Sequence, residues 1–334
     1  MRPTPAAPTP DASLPDASLP DASFPDASLP DASVKVAIVL STLNGAAFLP
    51  EQLSSFVAQQ GVAWSLYWRD DGSADESVMT MEAFEAGEGA GRSVRVDTAR
   101  HVGVTGSYMA LLRAAVADGA GVVAFSDQDD VWLPEKLLRA MTQLGEADGP
   151  ALYCSRQVLV DEGLRRLTDS APIRVRPGFA AALTQNIATG CTVVLNAAAA
   201  ALVARSVPPP PSLHDWWSYL VVAAAGGRIV ADEQPTVLYR QHTANAVGAP
   251  LSTRRRAVAA MRRGPGAFMK VFRAQVAALQ AQPDLLSPEA SRVVAAVAKG
   301  LAGTPAARLW ALRIGMRRQT WAETMLFRCW FLIG

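Results

Sequence analysis

The chain has 334 residues, half of them hydrophobic, with 31 Lys and Arg against 30 Asp and Glu. That apolar share excludes global disorder, and at roughly 150 residues per domain the length predicts about two units. The net charge of +1 averages two unlike parts: residues 1–250 carry 17 basic and 27 acidic side chains, whereas residues 251–334 carry 14 and 3.

Cys154, Cys191 and Cys329 are far apart and odd in number, which argues against a disulfide framework and for a reducing, cytoplasmic setting. No run reaches the ~18 apolar residues of a membrane span, and the N-terminus lacks the basic and apolar regions of a secretory signal.

Pro-Asp-Ala-Ser recurs five times between Pro10 and Ser33. A proline every fifth residue forbids a continuous helix or ladder, so 1–33 reads as a disordered tail. Val34–Leu40 is an apolar, β-branched run of the kind buried on both faces of a parallel sheet. Pro50 suits a first helical turn, predicting a helix over 51–60. Trp64–Trp68 is the next strand, and Asp75 is placed to cap a helix running to about Glu85. A short strand near Val94–Asp97, a helix from about Ser107 to Ala117 and a strand over Val122–Ser126 complete a β-α alternation.

Further on, the reading gives strands at Ala151–Leu159, Gly190–Leu195, Arg228–Val230 and Val237–His242, with a helix from about His214 to Ala225. The remainder is helical and basic. The alternation predicts an α/β fold with a mainly parallel sheet, whose ligands bind beyond the carboxyl ends of the strands. The carboxylate-rich segments Asp70-Asp71 and Asp127–Asp130 stand at such ends.

Asp127, Asp129 and Asp130 are three carboxylates in four positions. Packed together they call for a neutralising cation such as Mg²⁺ or Mn²⁺; otherwise they form a solvated turn before the next helix. Asp70-Asp71-Gly72-Ser73 either receives a base or ribose or is ordinary turn chemistry. Asp215 is a helix N-cap, a general base held ionised at a helix start, or both. His101, His214 and His242 are the only histidines, each in a segment suspected of lining the site.

Six motifs in order then carry a resemblance over 36–248: Ser41-Thr-Leu-Asn44, Arg69-Asp-Asp-Gly-Ser-Ala-Asp75, Phe125-Ser-Asp-Gln-Asp-Asp-Val-Trp132, Thr189-Gly-Cys191, His214-Asp-Trp-Trp217 and Tyr239-Arg-Gln-His242. Together they resemble glycosyltransferase family 2, and within it the rhamnosyltransferase-like enzymes of bacterial surface-polysaccharide assembly. The resemblance implies a GT-A fold: a Rossmann-like mixed, mainly parallel sheet flanked by helices. It implies domains at 1–33 (tail), 34–250 (catalytic) and 251–334 (basic, helical).

It further implies an inverting, metal-dependent transfer of a sugar from a nucleotide-diphosphate donor, with rhamnose from dTDP-rhamnose as the best analogy. The acceptor would be a saccharide or a polyprenyl-linked one. UDP-hexose donors, or a catalytically silent nucleotide-sugar-binding scaffold, are the alternatives. By position, Thr42, Asn44, Asp70 or Asp71, Asp127, Gly190 and Arg240 fall among nucleotide-sugar contacts, Asp129 and His242 at the Mg²⁺ or Mn²⁺, and Asp215 at the catalytic base. The family often has Asn where this chain has His101 before Val-Gly103, which leaves the third loop without an assigned role.

The basic end interleaves Arg254–Arg256, Arg262-Arg263 and Arg317-Arg318 with Trp310, Trp321, Phe327, Trp330 and Phe331. This pattern suits peripheral contact of 300–334 with an anionic membrane surface, or a plain helical cap on the catalytic domain. Nucleic-acid binding is the competing reading and is not expected.

Overall fold

The computed structural model describes residues 34–97, 101–242 and 253–333, with side chains in the last segment described from 265. The expected tail over 1–33 and the expected boundary at 250 lie outside the described residues.

The first half is built from β1 (Val36–Thr42), α1 (Leu49–Val57), β2 (Trp64–Asp70), α2 (Ser77–Ala86), β3 (Ser93–Arg95), α3 (Gly103–Ala117) and β4 (Val122–Ser126). After it come β5 (Val131–Trp132), α4 (Lys136–Leu144), β6 (Ala151–Val160), β7 (Arg166–Asp169), α5 (Phe179–Ala182), a 3₁₀ turn (Gly190–Thr192), β8 (Val194–Asn196), α6 (Ala197–Arg205), α7 (His214–Ala224) and β9 (Arg228–Arg240). The C-terminal helices are α8 (Thr253–Gln280), α9 (Pro288–Ala302), α10 (Pro305–Ala311) and α11 (Trp321–Ile333).

One sheet runs β3-β2-β1-β4-β8-β6-β9-β5, with β7 on β6. Its β3-β2-β1-β4 half is parallel. The other half is mixed: β8 lies antiparallel between β4 and β6, β6 pairs parallel with β9, and β5 runs antiparallel to β9. Register aligns Thr42 of β1 with Asp70 of β2, and Leu40 of β1 with Ser126 of β4. The carboxyl ends of β1, β2 and β4 therefore lie along one edge of the sheet.

Helices cover both faces. Leu53, Phe56, Met81, Phe84, Leu137 and Leu144 form one core with Trp68 and Trp132. On the opposite face, Leu112 of α3, Val203 of α6 and Leu220 of α7 share a core with Phe272, Val297, Phe327 and Phe331 from the C-terminal helices. The C-terminal helices thus complete one wall of the domain. Phe327, Trp330 and Phe331 are at most 7% exposed, which corrects their assignment to a membrane-facing surface; Trp310 and Trp321 do face outward. Among the described residues, no helix is long and apolar enough to cross a membrane.

Several elements differ from their sequence expectation for identifiable reasons. The expected strand over 190–195 begins as a 3₁₀ turn, closed by Thr192 N–H to Thr189 C=O (2.8 Å) and Val193 N–H to Gly190 C=O (3.0 Å). The two expected strands at 228–230 and 237–242 form a single β9. Pro235 sits inside it opposite Arg156, where the register with β6 shifts, because proline has no donor for the ladder. The reading gave no helix to the alanine-rich stretch after Asn196, where α6 forms with Asn196 Oδ1 accepting from Ala199 N–H at 2.9 Å. Asp75 does not occupy the N-cap of α2, which is Glu76, yet it accepts from the first helical N–H, that of Ser77, at 3.0 Å.

Candidate active site

At the carboxyl ends of β1 and β2, two loops are stitched together. Thr42 Oγ1 donates to Asp70 Oδ1 at 3.0 Å, and Asp70 also accepts from the N–H groups of Gly72 and Ser73, both at 2.9 Å. Burial pushes the Asp70 carboxyl up, but bonds from Ser73, Gly72 and Thr42 outweigh it and hold it below the usual carboxylate range. Asn44 adopts a left-handed φ of 50°, a conformation its short polar side chain tolerates. Its Oδ1 accepts from Ala74 N–H at 2.8 Å, while its own N–H donates to Ser73 Oγ at 2.8 Å. Gln128 braces the first loop from the β4 side, accepting from Leu43 N–H (2.8 Å) and donating to Leu43 C=O (3.0 Å).

Asp71 has another task. Its carboxylate is 3% exposed, pairs with the Arg69 guanidinium, and accepts from the N–H groups of Val102 and Gly103, both at 2.8 Å. It caps α3 from a distance, which is why that helix starts one turn before the expected Ser107. With His101 Nδ1 a further 2.9 Å from its other oxygen, Asp71 is occupied internally. Of the two carboxylates expected to meet the base, Asp70 or Asp71, Asp71 is thus the enclosed one and Asp70 the half-buried one.

The acidic loop after β4 divides its carboxylates. Tyr108 Oη donates to Asp127 Oδ1 at 3.0 Å. Asp129 Oδ2 meets His242 Nε2 at 2.7 Å, and the His242 ring stacks on Phe48 with centroids 4.8 Å apart. Asp130 is fully buried, with Oδ1 accepting from Arg240 N–H at 3.1 Å and Oδ2 without a hydrogen-bond partner among the described residues. Burial, with the Asp129 charge next, pushes Asp127 up to about 7.

Ligand atoms of Asp127, Asp130 and Cys191 lie within 4.8 Å of one another. Burial pushes the Cys191 thiol well above its ordinary range; the hard donors of the cluster are its carboxylates, with the His242 imidazole held at Asp129 beside them. Crowded carboxylates with an orphaned oxygen fit a divalent cation such as Mg²⁺ or Mn²⁺.

Asp215 reaches the same cleft from the other half of the sheet. It lies in the first turn of α7, one residue inside the helix rather than at the cap, which is Leu213. One oxygen accepts from Trp216 N–H (2.5 Å) and the other from Gly190 N–H (3.1 Å), and the Asn186 side chain adds to their lowering effect on the carboxyl. Burial nevertheless pushes its carboxyl up to about 6. Gly190 is where the two halves meet: a Cβ there would stand 3.0 Å from His214 Nε2 and 3.8 Å from Asp127 Oδ1. Gly190 therefore orients the carboxylate of α7 through its N–H, and its lack of a side chain permits the approach.

His214, whose role the sequence leaves open, is a wall of the site. Its ring stacks flat on Tyr108 at 3.7 Å, and burial pushes its pKa down to about 3, so it is neutral. Sequence reasoning missed Tyr108, Gln128 and Asn186; none sits in a pattern of its own, though Gln128 is the residue between the two aspartates of the Asp-x-Asp.

Arg240 requires correction. It was expected at the nucleotide sugar, but it is 1% exposed, donates from Nε to Asp129 C=O at 2.9 Å, and bonds to Glu162 C=O and the Glu51 carboxylate. Its guanidinium lies over the Phe48 ring at 4.9 Å. It clamps β9 and α1 to the acidic loop rather than facing a ligand.

The model of the family described as Glycosyl transferase family 2 matches residues 37–201. The chain is 24% identical over 219 residues to the dTDP-rhamnosyl transferase RfbG of Shigella flexneri, covering 64% of this chain and 75% of that one. It is 30% identical over 115 residues to the uncharacterized glycosyltransferase alr2836 of Nostoc sp., about a third of each chain. Among solved structures, S. aureus TarS 1–349 in complex with UDP-GlcNAc superposes with a TM-score of 0.55 at 16% identity, over 79% of this chain and 71% of that one. The fold is GT-A, and residues 37–201 of the chain belong to glycosyltransferase family 2.

Proposed function

We propose that this protein is an inverting, divalent-metal-dependent glycosyltransferase that moves a sugar from a nucleotide-diphosphate donor to a saccharide or polyprenyl-linked acceptor. The observation that carries the reading is the convergence of Asp127 and Asp215 on Gly190, from segments 88 residues apart in the chain. The similarity to a dTDP-rhamnosyl transferase supports rhamnose as the donor sugar.

In this reading Thr42, Asn44 and Asp70 receive the nucleoside and Asp127 its ribose, while Gly190 lines the sugar side of the cleft. Asp129 and His242, beside the clustered carboxylates of Asp127 and Asp130, would hold Mg²⁺ or Mn²⁺, which when bound supplies positive charge against the leaving diphosphate. Asp215 takes the acceptor hydroxyl's proton at a carboxylate oxygen as the hydroxyl attacks the anomeric carbon. The bond to the diphosphate breaks in line, inverting the centre without a covalent enzyme intermediate. A carboxyl raised to about 6 is ionised at neutral pH yet more basic than an exposed aspartate, which suits a general base.

Exposed Trp310 and Trp321 beside a basic segment support peripheral contact with the inner face of a cytoplasmic membrane, where a polyprenyl-linked acceptor would reside. The test is a thermal-shift panel of dTDP- and UDP-sugars with Mg²⁺ or Mn²⁺, repeated with chelator. Stabilisation by a donor only with metal is expected; no response to any donor refutes the enzyme reading.

A further inference from the structure

Besides sharing a core with α3, α6 and α7, the C-terminal region hydrogen-bonds one loop beside the candidate site. Between α5 and the 3₁₀ turn, residues 183–189 form neither helix nor strand, so side-chain bonds must fix their course. On one side the loop is held by the segment preceding α11: Gln319 N–H donates to Gln185 Oε1 at 2.8 Å, and Thr184 Oγ1 donates to Arg317 C=O at 2.7 Å. Gln319 Oε1 in turn accepts from the N–H groups of Arg174 (2.7 Å) and Val175 (3.1 Å), tying in the approach to α5.

On its other side the same loop holds the first turn of α7. Ala182 C=O accepts from Trp216 Nε1 at 2.7 Å, and where the loop ends Gly190 N–H donates to Asp215 Oδ2 at 3.1 Å; Asn186, adjacent to Gln185, also acts to lower the Asp215 pKa. Asn186 is itself fixed by its Oδ1 accepting from Ala188 N–H at 3.0 Å. Two residues fastened to the C-terminal segment thus lie between the loop's two holds on α7, at Ala182 and Gly190.

We infer that the Arg317–Gln319 segment, acting through Thr184 and Gln185, positions Asp215 for proton abstraction. The inference rests on the reading of Asp215 as the base. Thr184 and Gln185 are positioning residues: they touch neither reactant, and their effect passes through Asn186. When they let go, the loop that presents Asn186 and the Gly190 N–H loses its fixed course, and the influences that lower the Asp215 pKa weaken. Small displacements of a catalytic group cost large factors in rate.

The test compares Thr184→Val/Gln185→Ala with Gln185→Glu, which keeps an acceptor for Gln319 N–H. Two readouts are taken: hydrogen exchange of the ligand-free chain over 182–190, and release of nucleoside diphosphate from dTDP-rhamnose and UDP-glucose with water as acceptor. The double variant is expected to exchange faster at these amides and to lose turnover by about tenfold. Donor affinity is expected to stay unchanged while the acid limb of the rate profile moves to higher pH. Gln185→Glu is expected to retain wild-type behaviour in both readouts.

Unchanged exchange, a wild-type acid limb, or an equal loss in Gln185→Glu overturns the inference. Asp215→Asn run alongside separates the two failures. If it turns over normally, the base assignment is wrong; if it is inactive while the double variant is normal, only the positioning role falls.

Discussion

Replacing Asp215 by Asn should inactivate the protein and stabilise it at the same time. Burial raises this carboxyl from 3.8 to about 6 despite bonds from Trp216, Asn186 and Gly190. A shift of about two units at 1.36 kcal/mol each is about 3 kcal/mol, paid by the folded state to hold the ionised form. Because the folded pKa lies above the unfolded one, the native state binds the extra proton between them, and stability falls as pH rises from about 4 to about 6.

Asparagine removes the charge and keeps an acceptor for only one of the two backbone N–H groups. A gain of about 2 kcal/mol at pH 7.5 therefore remains after that lost bond, which is worth about 1 kcal/mol. Removing the charge also lowers the repulsion on Asp127, which Asp215 helps to raise. Urea denaturation of both proteins, donor-free with chelator at pH 7.5 and pH 4.5, reads the difference directly. The stabilisation is expected at pH 7.5 and should shrink towards pH 4.5, while donor still binds and transfer drops by ~10²–10⁴. A variant no more stable than wild type at pH 7.5, or equally stabilised at both pH values, refutes the raised pKa.

Turnover should fall as pH drops through about 6, approaching tenfold per unit below it, since Asp215 must be ionised to act; a flat profile down to pH 5 counts against the base. Arg240→Met should cost about 3 kcal/mol by orphaning the carbonyls of Asp129 and Glu162, with Lys a poor substitute for the multidirectional guanidinium. Its donor affinity should fall through His242 two residues on, and full stability of the variant would sink the clamp. Trp310→Ala/Trp321→Ala should weaken binding to anionic liposomes by roughly tenfold, about 1.4 kcal/mol of lost apolar burial. Unchanged flotation would remove these side chains, 57% and 77% exposed, from any membrane contact.

The fit of sequence reading to structure depends on how local the cause is. Strands over 36–42, 64–70 and 122–126 were legible because a both-face-buried strand is apolar at nearly every position. The acidic loop was legible because three carboxylates after such a strand have few structural uses. Arg240 was misread for a corresponding reason: an arginine two residues from a candidate ligand has the same sequence signature whether it faces a phosphate or is buried against two carbonyls. The aromatics of α11 were misread likewise, because Phe327, Trp330 and Phe331 pack against α8 and α9, which no local pattern announces.

The sequence by itself determined the alternation of elements, the carboxylates at strand ends and the family, since each depends on residue type over a few neighbouring positions. Only the tertiary structure decided which carboxylates are enclosed by other groups and which are brought together. Asp70 and Asp71 are adjacent and chemically identical, yet Arg69 and the start of α3 take up Asp71 and leave Asp70 at the cleft. Asp215 and Asp127 become one site only because a 3₁₀ turn brings Gly190 between them. Burial and hydrogen bonding, which set a carboxyl's pKa and exposure, come from residues distant in the chain, so the division of labour among these acids is a property of the fold.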